Sequence, residues 1–395
     1  MKENVIASFF QKYAMILALI AVVIYFNFAT DGKILYAQNV NNLISQNAYV
    51  FVLATGMLMC ILTGGNIDLA VGSVVCFAGG VGALIMKSGM NVWFAVIVML
   101  IIGLIIGAFQ GYWIAWVSVP PFIATLAGMY AFRGLVNVVM KGLAVGINDE
   151  VFLKVFGGGA DCYIPDKLKT ILGMESIELN ITCLVIGAIV ALIYLATTVI
   201  GVIKERKLNI VSENPLIKLL KAVVICIVIM VFSCVLASYK GVPTGLIWIA
   251  AVMLIYNYVL NNTAIGRYLY AVGGNEKATA LSGVNTKLVY FIAYANMGFL
   301  AGLAGILTVA RAASAQPTYG QGYEMDAIAA CFIGGASAYG GTGKISGVFI
   351  GAALLGVINQ GMSIMGVDSN YQKVVKGLVL LLAVMFDILS KREKQ

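Results

Sequence analysis

Residues 50–86 read VFVLATGMLMCILTGGNIDLAVGSVVCFAGGVGALIM. Two apolar runs, 50–62 and 69–86, flank a polar break at Thr63-Gly64-Gly65-Asn66-Ile67-Asp68, and Asp68 is the only charge in the stretch. A helix needs roughly 20 apolar residues to cross the hydrocarbon of a bilayer. The pattern therefore predicts membrane-embedded helix interrupted by a polar elbow. Adjacent glycines weaken the helix, and Asn66 and Asp68 bring hydrogen-bonding groups to membrane depth. An ionised carboxylate in lipid is costly unless it is paired or wet. Asp68 thus has two readings. It is part of a broken-helix elbow beside a permeation path, or it is a cap for the free N–H groups of the following helix.

The rest of the chain repeats the theme. Of 395 residues, 61% are hydrophobic and only 11% are charged, against about 25% charged in soluble domains. Further apolar runs lie at 13–28, 92–116, 122–140, 179–203, 222–236, 246–260, 288–310, 327–335, 345–358 and 374–388. Charges cluster between the runs instead of alternating along them, which argues against an outer-membrane barrel with strands of about 10 residues. The expected fold is all-α: one polytopic membrane helical bundle over 1–395, with about ten transmembrane helices and short broken or re-entrant segments. No small-residue cleavage site follows the first run, so it reads as a retained helix.

Loop charges orient the bundle. Residues 204–221 hold Lys204, Arg206, Lys207, Lys218 and Lys221 against Glu205 and Glu213, and the tail holds Lys391, Arg392 and Lys394. Under the positive-inside rule this basic loop and both termini are cytoplasmic. The acidic stretch 141–178 reads as extracytoplasmic, and 261–287, with Arg267, Lys277 and Lys287 against Glu276, as cytoplasmic. The net charge of +8 is the signature of such loops and not of nucleic-acid binding.

Histidine is absent, which removes imidazole metal sites, His general bases and His proton relays. The seven cysteines show no CxxC spacing and read as apolar filler. No metal, cofactor or catalytic group is expected. Arg133, a charge inside an apolar run, either pairs with Asp68 or snorkels to an interface. Small-residue seams, which let helices approach closely in lipid, occur at Gly103-Gly107-Gly111, Gly298-Gly302 and Gly347-Gly351.

Residues 261–287 read NNTAIGRYLYAVGGNEKATALSGVNTK. Gly273-Gly274 breaks the chain, Asn275 can cap a short helix over 276–281, and Gly283 can stop it. A short helix between two spans is a docking element for a soluble partner. Gly340-Gly341-Thr342-Gly343-Lys344 imitates a phosphate-binding loop, but Ala338 and Ile345 occupy positions where that motif requires glycine and Ser/Thr. The chain is not expected to hydrolyse ATP itself. Residues 334–347 are expected to form a flexible re-entrant segment with Lys344 in water or near a headgroup.

Three stretches carry a resemblance: LTGGNIDLAVGS (62–73), GRYLYAVGGNEKATALSGVN (266–285) and FIGGASAYGGTGKISG (332–347). With these, nearly the whole chain resembles permease subunits of ribose/xylose/galactose-type ABC sugar importers, and its expanded 141–221 region looks more like the xylose or multiple-sugar subgroup. The resemblance implies a second permease copy, a cytoplasmic ABC ATPase (a fused double ATPase fits), an extracytoplasmic sugar-binding protein and a surrounding lipid bilayer. It implies that Gly273, Gly274, Asn275, Glu276, Lys277, Ala278, Ser282 and Gly283 form the segment that couples to the ATPase. It does not identify sugar contacts. Polarity within apolar helices points to Asn66, Asp68, Gln110, Asn296 and Gln360, because amides both donate to and accept from hydroxyls; helix–helix hydrogen bonding is the other reading of the same residues. Alternatives are an ABC permease for branched-chain amino acids and a gradient-driven sugar carrier. The lack of histidine and of paired carboxylates in the spans argues against an intramembrane enzyme.

Overall fold

The computed structural model describes residues 5–159, 161–171, 173, 178–208 and 214–392. Parts of the acidic stretch (160, 172, 174–177), of the basic loop (209–213) and of the tail (393–395) lie outside the described residues.

The helices in chain order are α1 (Val5–Ala29), α2 (Ala37–Leu62), α3 (Val71–Lys87), α4 (Val92–Ala115), α5 (Pro121–Met140), α6 (Glu150–Phe156), α7 (Lys167–Ile171), α8 (Ile181–Lys207), α9 (Pro215–Ala237), α10 (Thr244–Asn262), α11 (Ala264–Gly274), α12 (Glu276–Leu281), α13 (Thr286–Ala312), α14 (Tyr323–Ile333), α15 (Ile345–Ile364) and α16 (Ser369–Arg392). Eight of them, α2, α4, α5, α8, α9, α10, α13 and α15, are long and apolar enough to cross a membrane. At 25 and 24 residues, α1 and α16 also have the length, in keeping with about ten crossings. The only named strands among the described residues are β1 (Val145–Gly146) and β2 (Ser314–Ala315), paired antiparallel with Val145 opposite Ala315.

Local chemistry sets the boundaries. Asn91, Asn180, Asn214 and Asn285 each accept a backbone N–H in the first turn of α4, α8, α9 and α13, the expected N-cap bond. Pro121 and Pro215 open α5 and α9, where a missing N–H costs nothing.

The chain divides into two compact units. The smaller, 35–42 and 163–244, is built on the α8–α9 hairpin, where Gly187 lets Ser233 approach closely. Asp166 ties its helix starts together. Its carboxylate accepts from Ile181 N at 2.8 Å, Thr182 N at 3.0 Å and Thr182 Oγ1 at 2.7 Å, ahead of α8, and from Lys169 N in α7. Burial pushes the Asp166 carboxyl up, but these four donors outweigh it and hold it below the usual carboxylate range.

The larger unit, 1–34, 43–162 and 245–395, holds the seams. Gly103 and Gly107 of α4 meet Gly298 and Gly302 of α13 backbone to backbone: a Cβ at Gly107 would lie 2.8 Å from Gly298 Cα and 2.9 Å from Gly298 N. Gly347 and Gly351 of α15 meet Gly334 and Ala330 of α14 in the same way. Lipid is as apolar as leucine, so close backbone approach, and not hydrophobicity, selects these pairs.

Two spans in this unit are broken. After α2 ends at Leu62, residues 63–70 turn back into the bundle without helical structure, and α3 completes the crossing. After α13 and β2, residues 316–322 run inward past α3, with Cys76 Sγ against Gln316 O at 3.3 Å, and α14 then continues. The start of α14 lies beside α2, where the Tyr323 ring stacks on Tyr49 at 3.6 Å. Tyr49 is 13 residues from Leu62, so this point lies about 20 Å along α2 from its end. A Cβ at Gly72, in the first turn of α3, would overlap the Gly320 carbonyl oxygen. The N-terminal ends of the two shorter helices, α3 (17 residues) and α14 (11 residues), therefore meet inside the bundle.

This overturns one expectation and narrows another. The interior segment is 313–333 and not 334–347. Residues 334–344 form a turn ahead of α15, with Ser337 N on Thr342 O and Gly340 N on Ser337 O, both at 3.0 Å, and Lys344 is exposed as expected. Arg133 does not pair with Asp68; it donates to the Tyr319 carbonyl at 2.7 Å. The inward segment supplies that free carbonyl, which a regular helix would have consumed.

Candidate functional site

The three glycine-rich stretches, far apart in sequence, converge at one end of the larger unit. Gly341 N donates to Leu62 O at 3.1 Å, which joins the 338–343 turn to the end of α2. A Cβ at Gly273 would overlap that same Leu62 oxygen and lie 3.0 Å from Gly341 Cα. Gly65 and Gly340, both at positive φ (+78° and +83°), pack backbone to backbone with Ala338 and Gly64 respectively. Only glycine satisfies both the left-handed conformation and the absence of a side chain there.

Tyrosines fasten the knot. Tyr270 Oη of α11 donates to Gly343 O at 2.7 Å, and burial pushes this phenol up, so it stays a donor at neutral pH. Tyr290 Oη of α13 donates to Glu276 Oε2 at 3.1 Å.

From this knot α12 projects as expected from its residues. Asn275 Oδ1 accepts from Ala278 N at 3.0 Å to start the helix, Ser282 Oγ back-bonds to Ala278 O at 3.0 Å, and Gly283 ends it at φ +87°. Glu276, Lys277, Ala278, Ala280 and Leu281 are exposed, while Thr279 is buried against the body. Leu281 is 89% exposed, an unusual position for a leucine at the tip of a six-residue helix. Gly274 has nothing within 4 Å of an added Cβ, so its neighbour Gly273 is the one whose smallness the packing requires.

The polar residues singled out within the spans do not gather at one place, although Gln110 lies near Asp68. Asn66 sits at the knot, where Nδ2 donates to Thr63 O at 3.2 Å and Thr63 Oγ1 at 3.3 Å. Asp68 is buried and accepts from Ala70 N at 2.8 Å, just before α3. Gln110 of α4 reaches the same place: a Cβ at Gly128 would meet its Nε2 and lie 3.4 Å from Ala70 Cβ, and neither of its amide atoms has a hydrogen-bond partner. Asn296 joins helices, accepting from Tyr256 Oη and donating to Met59 Sδ. Gln360 is buried elsewhere, on α15, with Oε1 unpartnered.

Sequence reading did not single out the network at the start of α14. Asp326, 2% exposed, accepts from Tyr49 Oη at 2.7 Å and pairs with Lys376 of α16 at 3.0 Å. The signal was present: Glu324 and Asp326 precede one apolar run and Lys376 lies within another, and a charge at membrane depth marks a partner. Among the described residues no cluster of three or more His, Cys, Asp or Glu side chains could hold a metal.

The sequence matches the family described as branched-chain amino acid transport system / permease component over residues 39–161 and 168–384. The xylose transport system permease protein XylH of Escherichia coli K12 is 34% identical over 388 residues, 97% of this chain and 93% of the relative. That of Haemophilus influenzae is 34% identical over 97% of each chain. The ribose import permease protein RbsC of E. coli K12 is 36% identical over 351 residues, 89% of this chain and 85% of the relative. No solved structure matches. With the family profile spanning most of the chain and relatives aligned over nearly its full length, the chain belongs to this family of transport-system permease components.

Proposed function

We propose that the chain is the membrane-embedded translocation subunit of an ATP-driven importer for a monosaccharide, a pentose or hexose, coupled to a separate ATPase and supplied by an external sugar-binding protein. The names of the near-full-length relatives support a sugar over an amino acid. The observation that carries the mechanism is the exposed helix α12 knotted to both broken spans. In this reading the α12 end faces the cytoplasm, and Glu276, Lys277, Ala278 and Ser282 contact an ATPase groove. Gly273, Asn275 and Gly283 give the segment its shape, with Gly274 completing the break.

A push on α12 passes through Gly273 and Gly341 to the end of α2 and the turn after α14. The segments leading to α3 and from α14 are then addressed at once. Such backbone-on-backbone contacts cannot be compressed, so displacement is transmitted rather than absorbed. ATP drives the cycle only through different affinities of the ATPase for the two states of the bundle. Two copies of the chain would frame the pore.

The test is reconstitution. The chain with its ATPase and binding protein in proteoliposomes takes up a monosaccharide uphill when ATP is supplied, and the chain alone does not. Uptake that survives ATP removal but collapses with an ionophore would instead assign a gradient-driven carrier, for which the buried Asp326–Lys376 pair would be the working charge.

A further inference from the structure

Around the Tyr49–Tyr323 stack, away from α12, the larger unit holds a half-open cavity of about 170 Å³ lined by both aromatic rings and hydroxyl groups. Its walls come from four places: Ser45 and Tyr49 of α2, Thr308 and Arg311 in the last turns of α13, Tyr319 of the inward segment, and Tyr323, the first residue of α14. We propose that this cavity is a contact site for one sugar ring at the outer mouth of the translocation path; the proposal rests on the monosaccharide reading above.

The chemistry fits a sugar better than the other candidate cargo. A sugar ring presents a C–H face and a rim of hydroxyls. The C–H face suits an aromatic ring, and the rim suits groups that donate and accept, which Ser45, Thr308 and the tyrosine phenols supply. A branched-chain amino acid would need an aliphatic pocket and a partner for its ammonium group; here Leu307 and two alanines are the aliphatic walls, the rest of the apolar lining being aromatic, and the nearby carboxylate of Asp326 is already paired with Lys376. The volume lies below the roughly 300–1,000 Å³ of pockets for drug-sized ligands, which suits a monosaccharide.

The wall is also fixed in place. Tyr49 and Tyr323 stack with ring planes 13° apart, and the Tyr49 phenol is held by Asp326. Tyr319 carries the carbonyl that Arg133 grips. A pre-positioned wall loses little freedom on binding. Tyr323 opens α14, whose other end leads to the knot at Gly334–Gly341. Occupancy at one end and the α12 contact at the other therefore bear on the same short helix.

The experiment uses the complete importer in proteoliposomes and measures sugar translocated per ATP hydrolysed. Tyr323→Ala is expected to lower that ratio about tenfold. Tyr323→Phe, which keeps the ring, is expected to restore most of it. Thr308→Val, close in shape, tests the hydroxyl separately should Tyr323→Ala fail to fold, and is expected to lower the ratio several-fold. If the wild-type importer transports sugar and both variants keep its ratio and its sugar preference, the cavity is not a sugar contact. If the wild-type complex moves branched-chain amino acids and no sugar, the monosaccharide reading itself falls, and the cavity assignment with it.

Discussion

Replacing Gly273 with alanine adds one methyl group where the Leu62 carbonyl oxygen already stands, and 3.0 Å from Gly341 Cα. Neither neighbour is a side chain that can rotate away. The 3.1 Å bond from Gly341 N to Leu62 O must open, leaving two backbone groups unpaired at about 1–3 kcal/mol. Forced displacement of packed backbone adds about 1–3 kcal/mol, and the helix-propensity gain of alanine over glycine returns about 1 kcal/mol. The net is about 1–5 kcal/mol, or roughly 5- to 5,000-fold in the local opening equilibrium. Amide hydrogen exchange on the purified protein reads this directly: peptides covering 271–283 and 337–344 are expected to exchange faster by that factor. Gly274→Ala, one residue along, has nothing within 4 Å and is expected to exchange like the wild type. If the two variants behave alike, the knot does not transmit force as described.

Other expectations follow from the same geometry. Gly107→Ala should destabilise the α4–α13 seam by about 1–3 kcal/mol, seen as a lower melting temperature in detergent, whereas Gly134→Ala, with open space around it, should be neutral or stabilising. Lys376→Ala leaves Asp326 buried without its cation. The cost should approach roughly 3 kcal/mol, the low end for a broken buried pair because Lys376 keeps 25% of its side chain exposed, and adding Asp326→Asn should recover part of it. Asp166 is held below its unfolded pKa, so its contribution is complete above the usual carboxylate range and is lost as pH falls through the lowered folded value. The stability gap between wild type and Asp166→Asn in thermal unfolding should therefore be widest near neutral pH and shrink in acid; a gap that widens in acid would refute the capping role.

Short-range chemistry was legible in the sequence and long-range pairing was not. The bounds of α12 follow from Asn275 and Gly283, because capping and left-handed turns are local events. The break at 63–68 and the small-residue seams are equally local. Which seam meets which, and that the three glycine-rich stretches meet one another, depends on contacts between segments distant in sequence, such as Leu62 with Gly341. Arg133 illustrates the limit: its charge demanded a partner, but that partner is a backbone carbonyl exposed only because 316–322 leaves helical structure. The inward segment was hidden for a related reason. Its Gln316-Pro317 and glycines at 320 and 322 read as an ordinary connector, and nothing in the residues themselves says that the loop turns inward.

The most direct test concerns the side on which α12 lies. In a variant with Cys226 and Cys234 replaced by serine, a single cysteine at Ala278 is treated with a membrane-impermeant thiol reagent. The account predicts no labelling in intact cells, labelling in inside-out vesicles, and protection there when the ATPase is bound. Labelling in intact cells would contradict it.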